Sequence, residues 1–136
     1  MIFRETTQED LDYMADHSMS RGVQKSCPEQ TSFIYTLEDN GLVLGTGGFQ
    51  IINQHTAWCW VDISDIGHDN IILSFKTIRD AIDRFVKEHN LRRLQAYVEC
   101  DFEEAVRMVR HLGFKKESTM ENFVGDKHAY MFVRVF

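Results

Sequence analysis

Three side chains near the ends of two predicted strands could move a proton. Asp62 lies near the end of a strand predicted over 56–63, and Glu99 directly follows the alternating strand pattern at 94–98. Tyr97 shares a face with Glu99, because side chains two apart on a strand point the same way. A carboxylate can accept a proton from a reacting group, and a phenol can donate one. The alternative interpretation is a solvated strand edge for both carboxylates and a packing role for Tyr97.

Two other patterns are compatible with ligand binding and also with packing alone. Trp58 and Trp60 share one strand face and either cover the sheet or line a groove. The glycine-rich stretch 45–48 lacks the lysine and the following helix of a phosphate-binding loop. Because it follows an Asn-Gly hairpin signal at 40–41, it instead predicts a bulge or a close backbone approach.

Neither a metal site nor a disulfide framework is predicted. An odd number of cysteines at wide spacing suits reduced thiols in a reducing compartment. No two histidines lie four residues apart, the spacing that places two imidazoles on one helix face. The cysteines are Cys27, Cys59 and Cys100, and the histidines are at 17, 55, 68, 89, 111 and 128.

The composition predicts one folded domain over 1–136. The chain has one proline, 26% charged residues and a formal net charge of −6. Its longest basic clusters are the pairs at 92–93 and 115–116, too small to attract a polyanion, so nucleic acid is not a predicted partner. No apolar run reaches the roughly 20 residues that span a bilayer, and 1–10 does not resemble a signal peptide. The sequence therefore predicts a cytoplasmic protein without a membrane partner.

Apolar periodicity predicts an α+β chain of seven strands and three helices. The first helix follows a capping box from Thr6 to Glu9 and extends to about 20 or 21, and the stretch 22–32 is loop or a short helical turn. The second covers 70–89, with Asp69 as its N-cap and Asn90 as its stop, and the third follows a capping box at 101–104 and ends at Gly113. The predicted strands lie at 2–4, 32–37, 42–52, 56–63, 94–98, 119–124 and 129–135.

The resulting order, β-α-β-β-β-α-β-α-β-β, resembles the GNAT superfamily of acetyl-CoA-dependent N-acetyltransferases. The sequence HLGFKKE at 111–117 is similar to the ending of that family's last helix. The resemblance extends to short GNAT-like proteins of bacteriophages. It implies a mixed, mostly antiparallel sheet with helices on both faces. It also implies that 57–63 pairs in parallel with 94–98 across the helix that connects them.

The resemblance also implies a place for acetyl-CoA. In the family, the last strand of the meander splays from its neighbour and pairs with the pantetheine arm. The corresponding backbone here belongs to Val61 and Ile63. The following loop holds the pyrophosphate on backbone N–H groups at a helix start, which assigns Gly67 and His68 to the phosphates.

Several residues depart from the family's pattern in that loop. The family has Gln or Arg three residues before the first glycine and small residues after it, whereas this chain has Ser64, Asp69 and Ile71. Asp69 either caps the following helix or repels phosphate, since two like charges about 4 Å apart cost roughly 1 to 4 kcal/mol. The pyrophosphate loop is therefore degenerate.

The last helix departs from the pattern as well. Where the family often has an asparagine and a proton-donating tyrosine, this chain has Phe102 and Val109. An ammonium acceptor still needs a base, because it has no lone pair with which to attack. Asp62 and Glu99 are the candidate bases, and Tyr97 is the candidate proton donor.

Two functions follow, and a third interpretation concerns the fold. The first is an acetyl-CoA-dependent N-acetyltransferase acting on a primary amine of a small molecule or a protein. The second is a catalytically inactive GNAT-like protein of the phage type that binds a protein partner. The third is another α+β sandwich, which the parallel pairing of 57–63 with 94–98 tests. The sequence does not indicate an oligomeric state.

Overall fold

The computed structural model describes residues 1–19, 33–69 and 71–136, and the side chains at 68 and 71–73 are not described. The stretch 22–32, predicted as loop or helical turn, lies outside these residues. The strands are β1 (Ile2–Glu5), β2 (Phe33–Asp39), β3 (Leu42–Asn53), β4 (Thr56–Ile63), β5 (Arg93–Glu99), β6 (Lys115–Val124) and β7 (Lys127–Val135). The helices are α1 (Gln8–His17), α2 (Asp65–Asp69), α3 (Ile71–Glu88) and α4 (Glu103–His111).

All seven strands belong to one mixed sheet in the order β1-β2-β3-β4-β5-β7-β6. Five of the six strand pairs are antiparallel, and only β4 and β5 run parallel. The α+β class, the mostly antiparallel sheet and the order of the seven strands are therefore confirmed. The short helix α2 was not predicted.

The parallel pair is closed at one end and open at the other. Thr56 to Trp58 pair with Arg93 to Gln95, and the ladder stops there. Beyond that point β4 stays paired with β3 as far as Ile63, and β5 stays paired with β7 as far as Glu99. The two strands therefore form the arms of a V in the middle of the sheet.

Helices cover both faces of the sheet. On one face, Phe85 of α3 stacks on Phe49 of β3 with ring centroids 3.8 Å apart. Helix α4 lies beside α3 on that face, and its Val109 belongs to the same buried core. On the other face, α1 packs through Asp10, which accepts a hydrogen bond of 2.9 Å from Thr36 Oγ1. The predicted placement of helices on both faces is confirmed.

The helix starts differ from the predicted capping boxes. Thr7 and Asp10 form the box of α1, one residue later than predicted, because Asp10 also binds Thr36 on the sheet. Helix α1 ends at His17, earlier than predicted, since Met19 N–H donates to the Ile63 carbonyl at 2.8 Å. Helix α4 has Phe102 at its N-cap position where Asp101 was predicted.

Two predicted helix stops and the first hairpin turn are confirmed by their backbone angles. Asn40 and Gly41 have positive φ at the β2–β3 turn, as do Asn90 after α3 and Gly113 after α4. The last hairpin is longer than predicted, since β6 begins at Lys115. Asp69 is the final residue of α2 rather than the cap of the long helix.

Candidate active site

A cavity of about 400 Å³ occupies the V between the arms of β4 and β5. Its wall is built from β3, β4 and β5, from α3 and α4, and from the end of the β6–β7 hairpin. None of the described residues that line it is charged. The cavity therefore suits the apolar parts of a ligand, and any charge on that ligand needs a partner at the edge.

Aromatic side chains form one end of the cavity. The ring of Tyr97 lies edge-on to Trp58 at 6.2 Å and to Phe123 at 4.9 Å, measured between centroids. Trp60 lies across Gly48, where an added Cβ would come within 3.0 Å of the indole ring. Glycine at 48 therefore makes room for Trp60, in agreement with the predicted close approach in this stretch. Both tryptophans line the cavity, the second of the two alternatives for them.

The other end lies between the sheet and the helices. Val61 and Ile63 face it from β4, and Ala96 and Val98 face it from β5. Cys59 also lines this end, and burial raises the pKa of its thiol to about 12. The thiol is therefore protonated at neutral pH and is a poor nucleophile, because the thiolate is the reactive form.

Glu99 is a buried carboxylate without a hydrogen bond. Only 1% of the residue is exposed, and neither carboxylate oxygen has a hydrogen-bond partner in the described part of the chain. The Lys127 ammonium lies 3.9 Å from Oε1, too far for a hydrogen bond but close enough for an ion pair. A solvated strand edge is therefore wrong for Glu99. A buried charge without hydrogen bonds costs free energy, and such sites are commonly kept for function.

Tyr97 and Glu99 lie together on β5, as their spacing predicts. Tyr97 lines the cavity, and burial together with the negative charge of Glu99 raises the pKa of its phenol. The phenol therefore keeps its proton at neutral pH and can donate it. The structure thus brings a proton acceptor and a proton donor to the same arm of the V.

Asp62 lies on the opposite arm and is also buried, with 7% of the residue exposed. Its carboxylate accepts a hydrogen bond from the Ser18 hydroxyl, just beyond the end of α1. A solvated edge is therefore wrong for Asp62 as well. Glu99 lacks any such hydrogen bond, which separates the environments of the two candidate bases.

Comparison with known proteins identifies the fold. No protein-family model and no curated protein matches the sequence. A solved chimera of spermidine N-acetyltransferase SpeG from Vibrio cholerae and hSSAT aligns over 99% of this chain and 96% of its own, at 15% identity and a TM-score of 0.78. The spermidine/spermine N-acetyltransferase SpeG of Vibrio cholerae with bound manganese aligns over 98% and 91%, at 15% identity and a TM-score of 0.74.

A GNAT-family acetyltransferase from Bacillus anthracis aligns over 75% of this chain and 65% of its own, at 14% identity and a TM-score of 0.64. The chain has the GNAT fold. At these identities the likeness concerns the fold, and the chemistry must be argued from the site.

The loop after β4 is fixed to β3 by side-chain and backbone contacts. The Ser64 hydroxyl accepts a hydrogen bond of 3.0 Å from Gly67 N–H and donates to the carbonyl of Leu44. An added Cβ at Gly67 would lie 2.0 Å from that same carbonyl oxygen. Gly67 is thus packed against β3, and its N–H group is already used. In this conformation that N–H group does not face a phosphate.

The structure describes the other predicted cofactor contacts only in part. Val61 lies on the open arm of β4, where the parallel ladder has ended. The carbonyl of Ile63 accepts from Met19 N–H, so that oxygen is already used. The side chain of His68 lies outside the described residues, and Asp69 is exposed at the end of α2. The pantetheine and phosphate assignments stay predictions.

Three features of the site were not found from the sequence. The buried indole N–H of Trp60 has no acceptor among the described residues. Lys127 faces Glu99 from the start of β7, and Phe123 reaches the cavity from β6. The hairpin turn at Gly125 was visible in the sequence. The pairing of β7 beside β5, which brings this hairpin to the V, had no local signal.

Proposed function

We propose that this chain is an N-acetyltransferase that moves an acetyl group from acetyl-CoA to a primary amine. The observation that carries the proposal is the buried carboxylate of Glu99, which has no hydrogen-bond partner among the described residues and shares a face of β5 with Tyr97, a residue that lines the cavity in the V. The described cysteines, Cys59 and Cys100, are free thiols, which supports a reaction in a reducing compartment such as the cytoplasm.

Acetyl-CoA would supply the acyl group as a thioester. The apolar cavity and the free edge of β4 beyond Trp58 fit a pantetheine arm, which Val61 and Ile63 would flank. The usual phosphate cradle does not fit, because Gly67 N–H binds Ser64 instead. We therefore assign recognition of the donor mainly to the V, since Gly67 N–H, one of the two phosphate contacts that the resemblance implies together with His68, already binds Ser64.

The residues of β5 provide the proton transfers. Glu99 accepts one proton from the ammonium, which frees the nitrogen lone pair for attack on the acyl carbon. A carbon–nitrogen bond forms as the carbon–sulfur bond breaks. Tyr97 protonates the departing sulfur and recovers a proton from the nitrogen. The products are an amide and a free thiol. Asp62, the other candidate base, already accepts a hydrogen bond from the Ser18 hydroxyl on the opposite arm, so we assign the deprotonation to Glu99.

Trp60 has a proposed supporting role. It lines the cavity and carries a buried indole N–H without an acceptor among the residues described. A fixed donor of this kind stabilises a carbonyl oxygen on which negative charge develops.

The second candidate is a GNAT-like protein without acyl-CoA chemistry that binds a protein partner. The use of Gly67 N–H inside the loop favours it, as do the apolar residues Phe102 and Val109 on α4. The two candidates differ in whether the V binds acetyl-CoA at all.

Thermal unfolding with millimolar acetyl-CoA or free CoA separates them. A ligand at 100 times its Kd stabilises the folded state by roughly 2.7 kcal/mol, which gives a shift of several degrees. Release of free thiol is then measured with a panel of primary amines that includes spermidine. We expect the Glu99→Gln variant to bind acetyl-CoA normally and to transfer at least about 100-fold more slowly. If neither ligand raises the Tm, the acetyltransferase proposal fails and the second candidate stands.

A further inference from the structure

The wall formed by Trp58, Tyr97 and Phe123, named here the aromatic wall, matches an apolar ligand body. The Tyr97 ring contacts each of the other two rings in an edge-on geometry, and all three side chains line the cavity. Such surfaces bind flat or branched apolar groups, and they also attract a cation placed over a ring face.

Glu99 supplies a negative charge beside this wall. Glu99 lies on the same face of β5 as Tyr97, and the two are close enough that Glu99 raises the pKa of the phenol. Neither oxygen of Glu99 has a hydrogen-bond partner, so its capacity to accept ammonium hydrogens is unused.

An ammonium group already lies near that carboxylate. Lys127 Nζ is 3.9 Å from Glu99 Oε1, and the lysine side chain is 47% exposed. The lysine can therefore swing into solvent at little cost, and a ligand ammonium can take its place at shorter distance.

We infer that the amine acceptor carries one positive charge and an apolar body, with its ammonium on Glu99 and its body against the aromatic wall. The inference rests on the proposed function and specifies its acceptor. A polyamine suits this site poorly, because its further ammonium groups would enter a cavity whose described lining contains no carboxylate. Asp62 does not change this, since it lies on the other arm and already binds Ser18.

Intrinsic tryptophan fluorescence tests the inference without any acyl donor. The chain contains two tryptophans, Trp58 and Trp60, and both line the cavity, so emission reports on its occupation. The probes are 2-phenylethylamine, its neutral analogue 2-phenylethanol, and spermidine. We expect a saturable change with 2-phenylethylamine, binding at least about tenfold weaker for the alcohol, and no saturable change with spermidine, because only the monoamine satisfies both the charge and the apolar wall.

Two variants with opposite expected effects check the role of charge. Glu99→Gln keeps the shape of the side chain and should remove the preference for the amine over the alcohol. Lys127→Met removes the competing ammonium and should tighten amine binding several-fold while leaving alcohol binding unchanged. Since the directions differ, general loss of folding cannot imitate both results.

Equal binding of amine and alcohol, stronger binding of spermidine, or no saturable change with any probe at millimolar concentration would each overturn the inference. Failure of the proposed function looks different. If the chain binds 2-phenylethylamine but releases no thiol from acetyl-CoA, the inferred ligand class stands and the proposed acetyl transfer is wrong. If the chain acetylates spermidine in preference to monoamines, the proposed acetyl transfer stands and the inferred acceptor class is wrong.

Discussion

Glu99 combines a role in the proposed chemistry with an expected cost in stability. A carboxylate that is 1% exposed and lacks hydrogen bonds has lost its hydration without full compensation, and Lys127 at 3.9 Å offsets only part of that loss. Buried charges of this kind are retained where function requires them, although they lower the stability of the folded state.

Replacement of Glu99 by Gln should therefore stabilise the protein while it slows acetyl transfer. We expect a gain of about 1 to 2 kcal/mol in the free energy of unfolding, because a neutral amide is less costly to bury than an unbonded charge. Chemical denaturation at neutral pH measures the difference. Lys127→Met serves as the control and should destabilise, since it removes the cation that pairs with Glu99. A lower stability for the Gln variant would contradict the interpretation of Glu99 as an uncompensated charge.

Among the elements, β1, α1 and β2 are joined by an ion pair in which Asp10 is buried and Arg4 is partly exposed. Arg4 binds Asp10 through two hydrogen bonds of 2.7 and 3.0 Å, and the Thr36 hydroxyl and the Thr7 N–H group donate to the same carboxylate. The Arg4 guanidinium, more than the other partners, holds the pKa of Asp10 well below its ordinary value of 3.8. The capping box of α1 and the attachment of α1 to the sheet therefore share one side chain.

This pair predicts a specific acid sensitivity. A depressed pKa in the folded state adds stability that is fully present above 3.8, the ordinary value, and is lost as the pH falls through the depressed one. Asp10→Asn should cost roughly 2 to 4 kcal/mol at pH 7, because Arg4 loses its buried partner. The difference from the unmodified protein should shrink at acid pH.

Urea unfolding between pH 7 and pH 2 measures this dependence. Glu117→Gln is the matched control, since Glu117 binds Arg93 in a similar two-point geometry but is solvated. We expect little change in that variant. A stability difference for Asp10→Asn that stays constant down to pH 2 would contradict the assignment.

Elements with a local signal could be predicted, and elements held by contacts across the fold could not. The strand pattern, the Asn40–Gly41 turn and the Gly113 stop depend on nearby residues, and all three are confirmed. Helix α2 is five residues long, too short to show helical periodicity, and Ser64 fixes its start to the carbonyl of Leu44 on β3. That contact joins residues 20 apart, so the sequence around Asp69 pointed to a single long helix instead.

The candidate site likewise has some features with a local sequence signal and others that depend on contacts across the fold. The spacing of Tyr97 and Glu99 predicted their shared face, because strand periodicity is local. Their burial could not be predicted, since it depends on β7 pairing along β5 and on the hairpin that brings Lys127 and Phe123 to the V.

At the scale of the whole molecule, the V predicts where ligand binding changes backbone protection. Along a strand, the backbone N–H and C=O groups point alternately toward the neighbouring strand on one side and on the other. Beyond Trp58, the groups of β4 that point into the V are therefore not paired with β5. Saturating acetyl-CoA should slow amide exchange in 59–63 and 96–99, because the pantetheine arm would bind that free edge. Hydrogen–deuterium exchange with mass spectrometry measures the effect. The β6 segment 115–120 is the internal control, and protection confined to that segment would contradict binding in the V.

The three residue pairs at the closed end of the V fix the angle between its two arms. Ile63 lies five residues beyond Trp58, about 16 Å along an extended strand. Each degree of rotation between the arms at this seam therefore moves the far end of β4 by about 0.3 Å relative to β5. Thr56 to Trp58 and their partners Arg93 to Gln95 thus set how far the V opens, although their backbones lie at its closed end.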